Sequence, residues 1–174
     1  MTAASTSPSA RLCAACGMCC DGVLFHSVAL QFGDSSRQLA SIGLKLRRKK
    51  GVEFFLQPCS AHREKEGRCS CLIYDRRPMR CRLFTCRQLQ DVTAGEITES
   101  AALEKIQEAR ARVARVNGLI AQLGDSNTNR SLSHRVAHAL TLPNKESART
   151  PLHVELEAAM NELENMLKRE FRAD

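Results

Sequence analysis

The sequence predicts a mainly α-helical protein with a small, irregular α+β part that is rich in cysteine. All nine cysteines lie between residues 13 and 86, whereas apolar side chains recur at helical spacing through the second half of the 174-residue chain. Aromatic side chains make up only 4% of the residues, and tryptophan is absent. The core is therefore aliphatic, or something other than large rings helps to hold the fold.

Composition divides the chain into three parts. Residues 1–11 are rich in Ser, Thr, Ala and Pro, and we expect a disordered lead-in there. Residues 12–95 hold every cysteine and form the predicted metal-binding domain. Residues 96–174 form a predicted helical extension that packs on this domain.

The first predicted elements follow the N-terminal cysteines. Residues 22–30 form an apolar run that fits a strand or an extended segment. A helix is predicted over 34–51, because Ser35 and Gln38 have the spacing of a capping box and apolar residues follow at helical spacing. The basic run 47–50 would then occupy the last turn of this helix, where cations complement the helix dipole.

Two short strands are predicted near residues 52–57 and 71–74. The polar segment between them, 59–71, is predicted to be a loop. Pro78 is suited to the first position of a helix, and that helix is predicted to continue to about residue 90.

Longer helices are predicted in the second half. Residues 99–123 carry apolar side chains at a spacing of three and four, and Thr98 is a suitable N-cap. A short helical piece is expected over 132–142, and a last helix begins at Thr150–Pro151. We expect these helices to pack on each other and over the cysteine-rich part, since a coiled-coil dimer needs about four heptads and about three are present. This helical half is also where we expect a protein partner to bind.

The N-terminus shows no targeting pattern. The first twelve residues lack the charged start and the apolar stretch of a secretory signal, and the chain has no run of about 18 apolar residues. We therefore expect a cytoplasmic protein with no membrane contact. Clustered thiols in a reducing compartment bind metal more often than they form disulfides. The odd number of cysteines and the adjacent Cys19 and Cys20 also argue against a disulfide framework.

Charge is unevenly distributed along the chain. Residues 1–90 carry 15 Lys and Arg against 6 Asp and Glu, whereas residues 91–174 carry 11 against 13. A basic half is typical of nucleic-acid binding, but each four-thiolate zinc site brings negative charge that nearby cations balance. Because the sequence lacks interleaved aromatic residues for stacking, nucleic acid is not the expected partner.

The spacing of the cysteines indicates the kind of site. The run Cys13-x2-Cys16-x2-Cys19-Cys20 resembles the loop that wraps an iron–sulfur cluster, whereas zinc more often takes two separated pairs. Adjacent residues point in different directions, so Cys19 and Cys20 serve two centres or one of them is a free thiol.

The last two cysteines pose the same question. Cys81 and Cys86 are separated by about 140° on a continuous helix, so they share a centre only if the helix ends between them. His26 and His62 are conceivable nitrogen ligands, although a histidine beside cysteines more often lies at the surface or around the ligands.

Three ordered blocks resemble a known family. The blocks are CxxCGxCC at residues 13–20, QPC at 57–59 and CLIYDRRPMRCRLFTC at 71–86. They are similar to those of the YkgJ-like CxxCxxCC family, a zinc- or iron-chelating domain, and the resemblance covers residues 13 to about 95. It implies the metal ligands Cys13, Cys16, Cys19, Cys20, Cys59, Cys71, Cys81 and Cys86. Four further residues match the family: Tyr74, Arg77, Pro78 and Arg82. Cys69 is additional, and some relatives attach the motif to a flagellin lysine methylase.

Three functions are consistent with these observations. The first is a metal-binding protein whose cysteine cluster chelates zinc or iron, with iron held as an iron–sulfur cluster. Its role would be redox and electron transfer, or structural. The cysteine spacing slightly favours iron. The second is a metal-dependent enzyme or accessory factor that modifies a protein, although the sequence has no nucleotide-binding glycine loop, no Ser-His-Asp pattern and no HExxH motif. The third is a zinc-stapled nucleic-acid-binding module.

Overall fold

The computed structural model describes residues 7–142 and 150–173, and within them the protein is mainly α-helical with two small antiparallel sheets. The predicted fold class is therefore confirmed. The helices are α1 (Pro8–Cys16), α2 (Ser36–Ser41), α3 (Met79–Leu83), α4 (Arg87–Ala94), α5 (Glu99–Gln122), α6 (Leu132–Ala139) and α7 (Pro151–Glu170). The strands are β1 (Ser27–Ala29), β2 (Leu46–Lys49), β3 (Val52–Leu56), β4 (His62–Lys65) and β5 (Arg68–Cys71). A 3-10 helix spans Tyr74–Arg76.

Helix α1 begins inside the segment that was predicted to be a disordered lead-in. Its N-cap is Ser7, whose hydroxyl oxygen accepts a hydrogen bond from Ala10 N, and Pro8 occupies the first helical position, which needs no N–H donor. The helix buries Leu12 and ends at Gly17, which has the left-handed φ of 68°. Residues 1–6 of the predicted lead-in lie outside the described residues.

The helix predicted over 34–51 is wrong in its second half. Ser35 does cap α2, since its side chain accepts a hydrogen bond from Gln38 N. The helix ends at Ser41, however, and Gly43 then takes a φ of 94°. The basic run forms β2, which pairs with β3 across a turn at Lys50 and Gly51, and β1 pairs with the other edge of β3.

The polar segment 59–71, which was predicted to be a loop, contains a second β-hairpin. Strands β4 and β5 pair through Arg63 with Ser70 and Glu64 with Cys69, on either side of a turn at Glu66 and Gly67. The strand expected near 71–74 consequently lies earlier, because pairing across this turn fixes β5 at Arg68–Cys71. The helix predicted from Pro78 to about residue 90 is also interrupted, and α3 and α4 are separate elements.

The helical half agrees with the sequence prediction. Thr98 caps α5 through a hydrogen bond from Ala101 N, and α7 begins at Pro151. Helices α5 and α7 pack along each other and share one hydrophobic core with α1 and α6. Leu12 and Met18 from the N-terminal segment lie in that core, 2% and 0% exposed. The C-terminal helices therefore cover one side of the segment that carries the first cysteines.

A second, smaller core lies under the three-stranded sheet. It contains Phe55 of β3 and five further buried residues: Val28, Leu39, Leu44, Ala61 and Ile73. Among the residues described, no helix is long and apolar enough to cross a membrane.

Candidate metal centre

The N-terminal cysteines lie on α1 and in the turn that follows it. Cys13 and Cys16 are three residues apart on α1 and therefore lie on the same helix face. The chain then reverses at Gly17, where the Cys20 N–H donates to the Gly17 carbonyl over 2.8 Å. This tight turn brings Cys19 and Cys20 back beside the end of the helix.

A first set of four thiols is defined by the electrostatic repulsion between its members. After burial, which is the largest cause, negative charge on Cys86 and on Cys13 raises the pKa of Cys16. Negative charge on Cys13 likewise adds to the raised pKa of Cys86. Charge on Cys19 is opposed by the same three thiols and also by its chain neighbour Cys20. We refer to Cys13, Cys16, Cys19 and Cys86 as the first set.

The other four predicted ligands form a second set. Charge on Cys20 is opposed by that on Cys59, Cys81 and Cys71, and charge on Cys81 is opposed by that on Cys59 and Cys71. We refer to Cys20, Cys59, Cys71 and Cys81 as the second set. The structure thus brings all eight sequence-predicted residues into two groups of four, and the adjacent pair Cys19–Cys20 contributes one thiol to each.

The two hydrophobic cores follow the same division. Cys16 lies within the core that α5 and α7 share with α1, and Cys19 packs against it. Cys59, Cys71 and Cys81 pack instead against the core under the three-stranded sheet. Each set therefore has its own apolar support, which limits water around these five sulfur atoms, whereas Cys13 of the first set is exposed.

The position of Cys86 explains how it joins the first set although Cys81 belongs to the second. Helix α3 ends at Leu83, the chain extends at Phe84, and Cys86 is the N-cap of α4. Burial raises the pKa of Cys86, and the backbone N–H groups of Leu89 and Gln88 at the start of α4 oppose that rise. A helix N-terminus stabilises negative charge in this way, so the cap position suits a thiolate.

Burial is the main influence on the acidity of the thiols. It raises the pKa of Cys16 to about 12 and that of Cys81 to about 11, and in both cases neighbouring thiolates raise the pKa further. The pKa of Cys19 is raised well above its usual value for the same two reasons. A positive ion between the sulfur atoms would reverse the cost of holding several thiolates together.

All nine cysteines are free thiols in this structure. As the side chains stand, no three Cys, His, Asp or Glu residues within 7–142 and 150–173 have the geometry to hold a metal ion. The two sets are therefore neighbouring thiols rather than a formed ligand shell. Their chemistry nevertheless fits a metal, because each set offers four soft sulfur donors, of which only Cys13 is exposed.

Cys69 lies outside both sets, in contact with the turn at Gly17. A Cβ atom placed on Gly17 would collide with Cys69 Sγ and would lie 3.3 Å from His62 Nε2. His62 Nε2 is buried and has no hydrogen-bond partner among the described residues. Of the two histidines considered as ligands, His62 is thus close to a cysteine outside the sets, whereas His26 is exposed and stacks edge-on with His134 at 5.6 Å.

Arg110 of α5 is a site residue that sequence reasoning missed. Its guanidinium donates to the Cys16 carbonyl over 3.1 Å, to Asp21 Oδ2 over 3.3 Å and to Glu64 Oε1 over 3.0 Å. It also hydrogen-bonds Cys69 and lowers the pKa of that thiol against the larger rise caused by burial. Arg110 therefore ties the helical half to both cysteine-bearing segments, and no local sequence signal marks it.

Two residues of the family-like blocks have contacts that support the site. Buried Gln57 donates through Nε2 to the Cys19 carbonyl over 3.1 Å and so holds the adjacent cysteines in place. Arg77 donates to the Tyr74 carbonyl over 2.9 Å, and its guanidinium lies 3.8 Å from the centre of the Tyr74 ring. Burial raises the pKa of both Cys13 and Cys81, and the charge of Arg77 opposes that rise in each, although the two thiols belong to different sets.

The fold and the paired thiol sets define a cysteine-rich metal-chelating domain. The family model CxxCxxCC, described as "Putative zinc- or iron-chelating domain", matches residues 12–111, and the chain belongs to this family. No curated protein and no solved structure matches the chain significantly. The matched region contains both thiol sets and extends into α5 as far as Arg110.

Proposed function

We propose that the protein binds two metal centres, one in each thiol set. The supporting observation is the division of eight cysteines into two groups of four, with Cys19 in one group and Cys20 in the other. Four thiolates satisfy a tetrahedral zinc ion, and they also satisfy an iron–sulfur cluster.

Iron–sulfur clusters are our first choice, and zinc is the alternative. The C-x2-C-x2-C spacing is that of a cluster-binding loop, and Cys86 lies at the N-cap of α4, where backbone N–H groups stabilise a thiolate. A cluster supplies reversible one-electron chemistry, whereas a zinc ion bound by four thiolates is redox-inactive and stabilises the fold. The proposed role is therefore electron transfer or redox sensing with iron, or a structural role with zinc.

Four thiolates in each set favour this role over metal-dependent catalysis. A catalytic zinc keeps one coordination position open for water or substrate, and a set of four thiolates fills every position. The protein's contribution is to bury most of the donors, to place the charge of Arg77 near Cys13 and Cys81, and to hold the adjacent cysteines through Gln57.

Metal analysis combined with absorption spectroscopy on anaerobically purified protein tests the proposal. We expect two centres per chain, with a brown colour and broad visible absorbance if they are iron–sulfur clusters. A colourless protein with two zinc ions per chain would retain the two-centre proposal and reject iron. Protein that carries no bound metal after anaerobic purification and reconstitution would reject both.

Cysteine variants test the division into sets. Cys16→Ser is expected to lose the metal of the first centre and to keep that of the second. Cys71→Ser is expected to lose the metal of the second centre and to keep that of the first. Cys69→Ser is the matched control, because it removes a buried thiol outside both sets and is expected to retain both centres. Loss of metal in the Cys69 variant equal to that in the Cys16 variant would contradict the assignment.

A further inference from the structure

Three of the chain's five histidines come together beside α6, and none of the three belongs to a thiol set. His134 and His138 are four residues apart on α6 and both are exposed, so they lie one turn apart on the same solvent-facing side of the helix. His26, just before β1, is also exposed, and its ring centroid lies 5.6 Å from that of His134. The fold thus gathers three accessible imidazoles from two distant parts of the chain.

Backbone contacts hold His26 and α6 in fixed positions relative to each other. The Leu132 N–H donates to the Gly22 carbonyl over 2.9 Å, and a Cβ atom placed on Gly22 would lie 2.9 Å from Ser131 Cα. The start of α6 therefore packs closely on the segment that leads into His26. On its other side, the His26 carbonyl accepts a hydrogen bond from Gln57 N over 3.0 Å. The approach of His26 to His134 is therefore supported by the fold rather than by the two rings alone.

A buried carboxylate orients one of the three rings. The side chain of Asp125 is only 2% exposed, and its Oδ2 lies 3.3 Å from His138 Nδ1, while its Oδ1 accepts a hydrogen bond from Asn127 N over 2.8 Å. A carboxylate only accepts hydrogen bonds, so His138 Nδ1 carries the proton and the neutral ring keeps its lone pair on Nε2. Metal-binding histidines are commonly oriented by a carboxylate in this way. His138 is therefore arranged to offer Nε2 to a metal ion.

The distances between the rings suit a shared metal ion. Two imidazoles that bind one tetrahedral ion through nitrogen at about 2.1 Å have ring centroids about 5 Å apart. The separation of His26 and His134, 5.6 Å, is close to this value. As the side chains stand, no three such groups among the described residues hold a metal ion. All three rings are exposed, however, and exposed side chains change rotamer within nanoseconds, so convergence requires no change of the fold.

We propose that His26, His134 and His138 bind a divalent transition-metal ion of the class that prefers imidazole nitrogen, such as zinc, nickel or copper. Three nitrogen ligands leave at least one position of the ion to water. An ion pair with Asp125 accounts for His138 alone, and it does not account for the second imidazole one turn away or for the third beside it. The site uses no cysteine, so it does not depend on what the thiol sets bind.

Calorimetric titration of nickel into the full-length protein, prepared anaerobically, tests the proposal. Nickel is the probe because imidazole suits it, and magnesium, which prefers oxygen ligands, is the control ion. Each variant is compared with unmodified protein prepared in the same way, so that nickel bound at any thiol is subtracted. We expect His134→Gln and His138→Gln each to weaken the binding of one nickel ion per chain by more than about 10–100-fold, the loss typical of an outer hydrogen-bond partner.

Two further variants test the parts of the site that the helix spacing does not supply. His26→Gln is expected to weaken binding of the same nickel ion by about tenfold or more, because it removes the third ligand. Asp125→Asn keeps an acceptor for Asn127 N but loses the one for His138, and a loss of about 10–100-fold is expected. Glu164→Gln, at an exposed carboxylate on α7, is the matched control for the lost charge and is expected to have no effect.

His62→Gln is the matched control for the loss of a histidine, because His62 lies at the turn of Gly17 beside Cys69. Nickel binding that is unchanged in the His134 and His138 variants, or that is weakened equally in the His62 variant, would overturn the site. Binding that does not depend on His26 would overturn the three-histidine arrangement, and equal binding of magnesium would overturn the preference for imidazole nitrogen. Thermal unfolding without nickel checks that these substitutions leave the fold intact.

Discussion

Substitution of Gly17 tests how closely Cys69 packs against the turn between the two thiol sets. Gly17 has a φ of 68°, which is costly for alanine by about 1 kcal/mol. The new Cβ would also collide with Cys69 Sγ, and Cys69 Cβ lies 3.1 Å away, so rotation of the thiol cannot clear the whole side chain. Overpacking of this kind costs about 1–3 kcal/mol, which gives about 2–4 kcal/mol in total.

Gly95 provides a matched control for the backbone contribution. It follows α4 with a φ of 75°, and nothing lies within 4 Å of the position its Cβ would take. Gly95→Ala therefore reports the cost of the left-handed conformation alone. For a chain of this size, about 1 kcal/mol corresponds to about 2–4 °C in Tm, so we expect Gly17→Ala to lower the Tm of metal-loaded protein at least twice as far.

A second background isolates the collision. In a Cys69→Ala protein the sulfur is gone but the Cβ atom at 3.1 Å remains, so Gly17→Ala should cost clearly less than in the unmodified chain and somewhat more than Gly95→Ala does. Thermal unfolding followed by circular dichroism measures the unmodified protein, the three single variants and the double variant. Equal Tm losses for Gly17→Ala and Gly95→Ala, or an undiminished loss in the Cys69→Ala background, would refute the close contact.

Three further outcomes are expected. In urea titrations, Arg110→Met should lower the free energy of unfolding by about 1–3 kcal/mol, because it leaves partly buried acceptors unpaired. Arg115→Met, which breaks an exposed ion pair, should lower it by only about 0–1 kcal/mol. Phe171→Ala should cost about 3–5 kcal/mol in the same titrations because Phe171 is 0% exposed, while Phe32→Ala, at a fully exposed side chain, should change stability by less than about 0.5 kcal/mol. Removal of metal with a chelator should increase protease cleavage in residues 13–90 more than in α5 and α7, as mass spectrometry of the fragments will show; a uniform pattern contradicts the two-centre proposal.

The sequence predicted the helical half well because its signals are local. Thr98 and Pro151 mark the starts of two helices. Within each helix, apolar residues recur at a spacing of three and four over many turns. These signals remain valid whatever the rest of the chain does, since each helix buries one face against a neighbouring helix.

The strands were harder to predict because pairing decides them. Leu46 fits the apolar spacing of a helix that starts at Ser35, yet it lies in β2 and pairs with Phe55 of β3. The turns at Lys50–Gly51 and Glu66–Gly67 have positive φ at both residues, the pattern of tight hairpins, and a glycine in the second position was the available signal. In both hairpins, tertiary pairing overrides the local preference.

For the candidate site, the sequence indicated the residues but not their partners. The adjacency of Cys19 and Cys20 and the spacing of Cys81 and Cys86 predicted that the cysteines divide between centres. Which distant cysteine joins which group depends on where α3 ends and how β5 packs, and cysteine spacing alone predicts neither.

The core shared by α1 and α5 also sets the order in which the protein matures during synthesis. The first three cysteines of the first set leave the ribosome some 70 residues before Cys86 and about 100 residues before the middle of α5. Until α5 is made, Leu12 and Met18 have no helix to cover them and the set lacks its fourth thiol. The nascent chain therefore exposes reactive sulfur and apolar surface together, and assembly of the first set waits for the helical half to be translated.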